Sequence, residues 1–507
     1  MNLLDLLTLP PPPAAGSRQH WGGLKGALHG LALARAALRF DGLSLVVTEN
    51  TQQAERLYEE LQFFLAGDST AVGLEVLHFP DWETLPYDNF SPHQDIISAR
   101  METLHRLPQC KRGVLILPIT TLLHRLPPCE YITANTLILK AGQRFPLQEM
   151  RKALEAAGYQ CVDTVYEHGE FAVRGSIMDL FPMGSDIPYR IELFDDEVES
   201  LRKFSPDTQI SNDKVDAIRL LPGREYPLHP QAIASFRQAF REVFAVDVRK
   251  CPLYDDISKG IASTGIEYYL PLFFPALVTL FAYLPAKLNC YLYGDVHEGA
   301  EQFWREIRSR FEERRVDNER PLLPPEKVFI AVEEMFARLR TLPVTQMGSA
   351  STSNSATYTA ACMPLPELAV DHSVEQPLSR LHAFASSLGA TPLLFCCDSA
   401  GRRESLLELL RRINLEPKVV QGWQEFTELR PPLAITVATL ETGFWLQQPP
   451  LVVVTENQLF AQHVNQRRRR GRLKDNSEFV FKSLAELNPS APVVHADHGI
   501  GRYLGLQ

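Results

Sequence analysis

Nowhere in these 507 residues is there a GxxxxGK[ST] run, the loop that supplies backbone amides, a lysine and a hydroxyl to nucleotide phosphates and their magnesium. The one lysine in the right neighbourhood, Lys25, is followed by Gly26 and Ala27. No apolar strand ends in the Asp-Glu pair that would hold magnesium and polarise water, because Val452, Val453 and Val454 lead to Thr455, Glu456 and Asn457. The eight cysteines include no CxxC pair and no Cys/His spacing suited to zinc, so they read as reduced, mostly buried thiols. A basic excess is also missing. With 51 Lys+Arg against 61 Asp+Glu the formal charge is −10, which argues against a chain whose main surface grips a nucleic-acid backbone. The N-terminus MNLLDLLTLPPPP has no basic lead and is cut by Asp5 and then proline, unlike a signal peptide or anchor. The apolar run at residues 268–285 is barely long enough to span a membrane and is interrupted by Pro271 and Pro275, so a buried strand-and-turn segment is expected there. A cytoplasmic protein without a membrane partner follows.

What the chain does have is length and apolar content, 45% hydrophobic residues, enough for three or four domains with real cores. Residues 169–204 alternate polar and apolar with the period of two of half-buried strands. Pro182, Gly184, Pro188 and the acidic turn Asp195, Asp196, Glu197 break them up, which predicts a small antiparallel sheet. In 189–194, Tyr189, Ile191 and Leu193 form the core side, so Arg190, Glu192 and Phe194 point outward. Phe171 and Val173 likewise send Arg174 to the opposite side of their strand. If the outer faces coincide, two arginines flank an exposed aromatic, the composition of a protein-binding hot spot. The alternative is a Phe194 packed under a neighbouring element, with solvated arginines.

Residues 42–48 read as an apolar strand and 51–64 as a helix. The stretch 79–107 opens with aromatic turns and continues as a helix whose buried side is Ile96, Ile97, Met101, Leu104 and Leu107. Strand 114–121 leads into a further helix. Together with strand 392–397, helix 401–413 and strand 451–455, this gives an α/β class with parallel sheets. At the phosphate-loop position two readings stay open: an ATPase-like scaffold without its catalytic parts, or an unrelated α/β domain.

Of the remaining segments, 231–250 reads as helical, and 302–315 as a charged amphipathic helix with a solvated face. The tract 345–361 (TQMGSASTSNSATYTAA) reads as a linker or mobile loop. Cys396 and Cys397, at a strand end with no general base beside them in sequence, read as structural. Arg467, Arg468, Arg469 and Arg470 are either a local contact to phosphate or to a partner, or a solvated linker helix. His495 and His498 are spaced like metal ligands, but no cysteine or carboxylate cluster completes a site, so no metal is expected.

FPDWETLPYDNFSPHQDIISAR (79–100), then EHGEFAVRGSIMDLFPMGSDIPYRIELFDDEVESLRKF (167–204) and GIEYYLPLFF (265–274), resemble the N-terminal half of the bacterial transcription-repair coupling factor family. That half is itself similar to the excision-repair protein UvrB. The resemblance is collinear from about residue 20 to the end. Two departures separate the chain from UvrB itself: the phosphate-binding loop is missing, and residues 87–92 pass almost directly into the helix at Asp95, leaving no room for UvrB's tyrosine-rich hairpin.

The resemblance implies a multidomain α/β protein. Residues 1–132 would be a UvrB-like domain 1a with a degenerate P-loop-type parallel sheet, and 133–221 an inserted small α+β domain 2 that binds UvrA. Residues 222–345 would be domain 1b and 346–460 an α/β domain 3. A basic linker, 461–483, would precede the truncated start of a β-rich RNA polymerase-interacting domain at 484–507. It places the UvrA-contacting positions at Arg174, Arg190 and Phe194. It further implies that contact with the polymerase β subunit runs through the last domain, and that a C-terminal translocase motor outside this sequence supplies ATP, magnesium and most DNA binding. No cofactor and no catalytic residue is then expected in this chain, whose work is recruitment in transcription-coupled nucleotide excision repair. The rival is a UvrB-like ATP-dependent enzyme that binds damaged DNA. A third option is a regulatory module that masks its surface against the motor.

Overall fold

The computed structural model describes residues 7–348, 357–370 and 377–460, and the backbone of two short strands, Pro492–His495 and Gly499–Arg502. The chain divides into two compact units, Met1–Gln462 and His463–Gln507. In the second, the two strands pair antiparallel. The arginines at 467–470 and His498 lie outside the described residues, as do the side chains of the second unit.

The first unit is built on a seven-stranded, wholly parallel sheet. Its order is Tyr358–Thr359, Arg18–Gly22, Val344–Met347, Leu288–Tyr293, Leu43–Thr48, Gly113–Pro118, Glu75–His78. LSLVVT and GVLILP are buried along their whole length, as a parallel sheet covered on both faces requires. The helix Gln94–Arg106 buries Ile96, Ile97, Met101 and Leu104, four of its expected apolar positions.

Between Gly113–Pro118 and Leu288–Tyr293 the chain leaves this sheet and returns to it. Leu137–Lys140 on the way out pairs antiparallel with Ala217–Leu220 on the way back, closing the neck of an insert. The insert carries a six-stranded sheet ordered Ser211–Val215, Glu197–Phe204, Tyr189–Phe194, Ile177–Leu180, Glu170–Arg174, Gln160–Cys161. Only the last pair is parallel. Its inner face, with Phe171, Met178, Leu180, Ile191, Leu193 and Leu201, belongs to the same apolar core as Phe145, Leu154 and Tyr159.

Residues 362–370 and 377–460 carry a second α/β sheet. Its centre, Leu393–Cys397, is flanked by Leu433–Val437 and Pro450–Thr455 in parallel, and Phe444–Gln447 adds an antiparallel strand. One face of this sheet shares a single apolar cluster with the helices Leu28–Arg39 and Thr51–Leu65, so the two sheets are parts of one compact body. Trp423, fully buried, packs edge-on against Phe64 with ring centroids 4.9 Å apart.

Two expectations are corrected here. Residues 268–285 contain no strand. They hold two 3-10 turns, Ile266–Leu272, mostly buried, and Leu280–Ala282, of which only Leu280 is buried; Pro271 and Pro275 have no N–H to give a ladder. The tract 345–361 does not begin as a linker: Val344–Met347 is an interior strand, where the Gln19 side chain donates to Thr345 Oγ1 at 2.9 Å and satisfies that buried hydroxyl. Arg18–Gly22, a strand with too mixed a pattern to signal itself, lies inside the sheet beside it. Among the described residues no helix is long and apolar enough to cross a membrane.

Candidate functional site

Strand pairing decides whether the three outward residues share a face. Arg174 stands opposite Ile177, and Ile177 opposite Glu192. Directly paired residues project to the same side, and so do residues two apart, so Arg174, Arg190, Glu192 and Phe194 all occupy the outer face. Phe194 is 70% exposed at the end of its strand, next to Asp195 in the left-handed region (φ 51°), where the hairpin turns. Arg174 is exposed as well, and its Nη2 donates to the Asp163 carbonyl and to Thr164 Oγ1 at 3.0 Å.

Arg190 differs from the sequence expectation of a free outward guanidinium. Its Nε and Nη2 donate to the two oxygens of Asp179 at 2.7 and 2.9 Å, and Nη1 donates to the Gln209 carbonyl and Ser211 Oγ. Asp179 is buried, and the guanidinium lies 5.2 Å over the Phe204 ring. This fork-to-carboxylate pair holds both groups in place, and the hydrogen bonds raise the arginine pKa further. Alternation along one strand could not reveal it, because Asp179 lies on the neighbouring strand. Below Arg190 the outer face is not solvated: Val165, Ala172, Phe181 and Phe204 form a small apolar cluster under the loops at 162–165 and 205–210.

The insert is fixed on the first sheet's helix Gln94–Arg106. His168 bridges Asp95 Oδ1 (2.6 Å) and the Ser185 carbonyl (2.8 Å), and Ser98 Oγ accepts from Gly184 N at 2.8 Å. Gly184 has φ 74°, and a Cβ there would lie 2.7 Å from Leu221 Cδ1. Further along the helix, Arg100 is fully buried. It is paired with Glu225, donates to the Pro80 carbonyl at 2.9 Å and stacks 4.3 Å over Phe79. Sequence reasoning missed this arginine, whose only signal is its position on the apolar side of the helix, one residue before Met101.

At the phosphate-loop position every amide of the first turn already has an acceptor within the chain. Ala27 N donates to Thr442 O at 2.9 Å, Leu28 N to Lys25 O, His29 N to Gly26 O, and Gly30 N to Glu60 Oε2 at 3.0 Å. In a nucleotide site these amides would face phosphate. Here the turn 441–443 of the second α/β sheet fills the space. Thr455 Oγ1 donates to the Glu441 carbonyl and Gln458 Oε1 accepts from Gly443 N, which holds that turn in shape. Arg56 joins the parts, with Glu60 at 3.4 Å, Glu441 at 3.6 Å and the Tyr293 hydroxyl as partners. Burial pushes the Glu60 carboxyl up to about 8 and the His29 imidazole down to about 4.

Glu456, at the end of strand Pro450–Thr455, is buried and taken up by Arg402 and the Asp398 amide, as a structural group would be. Cys396 and Cys397 are buried, and burial raises both thiols, Cys397 to about 12, which makes them poor nucleophiles. Among the described residues no group of His, Cys, Asp or Glu is placed to hold a metal ion.

Residues 137–226 match the family model described as the UvrB interaction domain, and residues 386–459 match that of the MFD D3 domain. The chain is 41% identical over 483 residues to the transcription-repair-coupling factor of Haemophilus influenzae, covering 94% of this chain and 41% of that protein. It is 40% identical over 497 residues to that of Escherichia coli K12 (98% and 42%) and 24% over 505 residues to that of Bacillus subtilis (96% and 42%). The chain thus spans about two fifths of the length of the curated relatives it matches. The insert with the Arg174, Arg190 and Phe194 face falls inside the first matched segment, and the sheet that plugs the phosphate-loop position contains the second. Nearly the whole chain is thus similar to transcription-repair-coupling factors, with the segments matching the UvrB interaction domain and the MFD D3 domain inside it.

Proposed function

We propose that this chain is a recruitment module of transcription-coupled nucleotide excision repair, which docks UvrA through the outer face of the inserted sheet. The observation that carries this is the placement of Phe194, 70% exposed at a strand end within the matched UvrB interaction domain. A large exposed aromatic on the same sheet face as an exposed guanidinium is the usual composition of a protein-binding anchor. Binding of RNA polymerase through the segment from about residue 484, and coupling to an ATP-driven translocase in the remainder of the full-length protein, complete the proposed role.

The chain itself is proposed to work by binding, without ATP or another cofactor. The amides that would receive phosphate are bonded within the protein, and the turn 441–443 stands in their way. Titrating purified UvrA onto the immobilised chain should give saturable binding, and ATP turnover should stay at background with and without DNA. Absence of UvrA binding would end the recruitment reading. Robust DNA-stimulated hydrolysis would favour the UvrB-like enzyme instead.

A further inference from the structure

We propose that the docking face extends beyond Phe194 to Tyr166 and Ile210, and that Arg174 and Arg190 serve it mainly as positioning residues. Each arginine staples one of the two loops that carry these side chains. The inference rests on the reading that this face docks UvrA.

Tyr166 is 58% and Ile210 67% exposed, and both stand on loops that lie over the outer face. Scattered exposed apolar residues need no explanation. These two differ because their backbones are held. In the first loop, Val165 is fully buried against Ala172, Phe181 and Phe204, so the next residue, Tyr166, is turned away from the sheet. The amides of Tyr166 and Glu167 both donate to Glu170 Oε2, at 2.7 and 2.8 Å. Arg174 Nη2 reaches across to Asp163 O and Thr164 Oγ1 and ties the start of that loop down.

In the second loop, Gln209 sits in the left-handed region (φ 59°). Its carbonyl accepts from Arg190 Nη1, and its side chain donates to the Pro206 and Val165 carbonyls at 2.7 and 3.1 Å. The Gln209 side chain therefore fastens the two loops to each other. Ile210 follows directly and projects outward. Three apolar side chains are thus presented on backbone already ordered in the free protein, which lowers the entropy cost of association. A partner surface offering apolar pockets fits this face.

The test measures UvrA affinity of the chain for the wild type, Phe194→Ala, Tyr166→Ala with Ile210→Ser, Arg174→Ala and Arg174→Gln, at low and high salt. Melting curves check that each variant folds. The Tyr166/Ile210 double variant should bind roughly tenfold more weakly or worse with unchanged melting. Arg174→Gln keeps a donor for Asp163 O, so it should retain most of the affinity and the salt dependence, while Arg174→Ala should not. If the double variant binds like wild type while Phe194→Ala is weakened, the extended face is wrong and the recruitment reading stands. If Phe194→Ala is also unchanged, both fall. If Arg174→Gln is as weak as Arg174→Ala and both flatten the salt dependence, the arginine acts by direct charge pairing and the positioning role is overturned.

Discussion

Gly26 and Gly443 approach so closely that a Cβ on Gly26 would lie 2.1 Å from the Gly443 carbonyl oxygen. Gly26 also has φ 51°, where a side chain is strained whatever the space. This contact closes the phosphate-loop position and locks the two α/β sheets together. Gly26→Ala should therefore lower stability by about 1–3 kcal/mol. A denaturant melt measures the loss, and limited proteolysis should show faster cleavage near the turn 441–443. An unchanged melt would mean that the turn yields freely and is no lock.

Glu60 makes the same junction sensitive to pH. Its carboxyl is raised from 4.5 to about 8, chiefly by burial, with Arg56 opposing. Between these values the folded state holds a proton that the unfolded chain has released, so its contribution to stability is present at low pH and lost as pH rises towards 8. Wild type should accordingly lose stability between pH 5 and 8.5, and Glu60→Gln should flatten that slope. Melting temperatures across that range in one buffer series provide the check. His29, lowered to about 4, acts in the opposite sense, losing its contribution as pH falls from 6.5 through 4.

Arg190 and Asp179 should behave as a structural pair. Arg190→Ala leaves Asp179 buried without its counter-charge, which costs about 3 kcal/mol. Replacing both by apolar residues should recover much of that loss. A double-mutant cycle on unfolding free energies reads the coupling directly, and near-additive single effects would refute the pairing. Weaker UvrA binding by Arg190→Ala therefore has to be read together with its melting curve.

Phe194→Ala should be silent in stability, because the ring is mostly exposed and the strand is held by its neighbours. UvrA affinity should nonetheless fall by about 1–3 kcal/mol. Calorimetric titration alongside thermal melts separates the two effects.

The outward direction of Arg174, Arg190 and Phe194 was legible in the sequence, since period-two alternation is a local property of each strand. So were the α/β class, the buried side of the helix Gln94–Arg106 and the missing phosphate-binding loop. The fate of each outward residue was not. Arg190 is committed to Asp179, eleven positions away on the neighbouring strand, whereas Phe194 stays free. Strand register decides that difference, and no single strand carries it.

What the sequence by itself determined is the periodicity, the breakers and the residue types, and these settle local structure because they act within a few residues of each other. Only the tertiary structure decided that residues 345–347 lie inside a sheet, that Arg100 is buried against Glu225, and that Thr442 and Gly443 pack against the turn at Gly26 and Ala27. Each of these joins groups more than one hundred positions apart or depends on an interior strand's neighbours. The energies that select them, desolvation against pairing and close packing between sheets, exist only once the chain has folded.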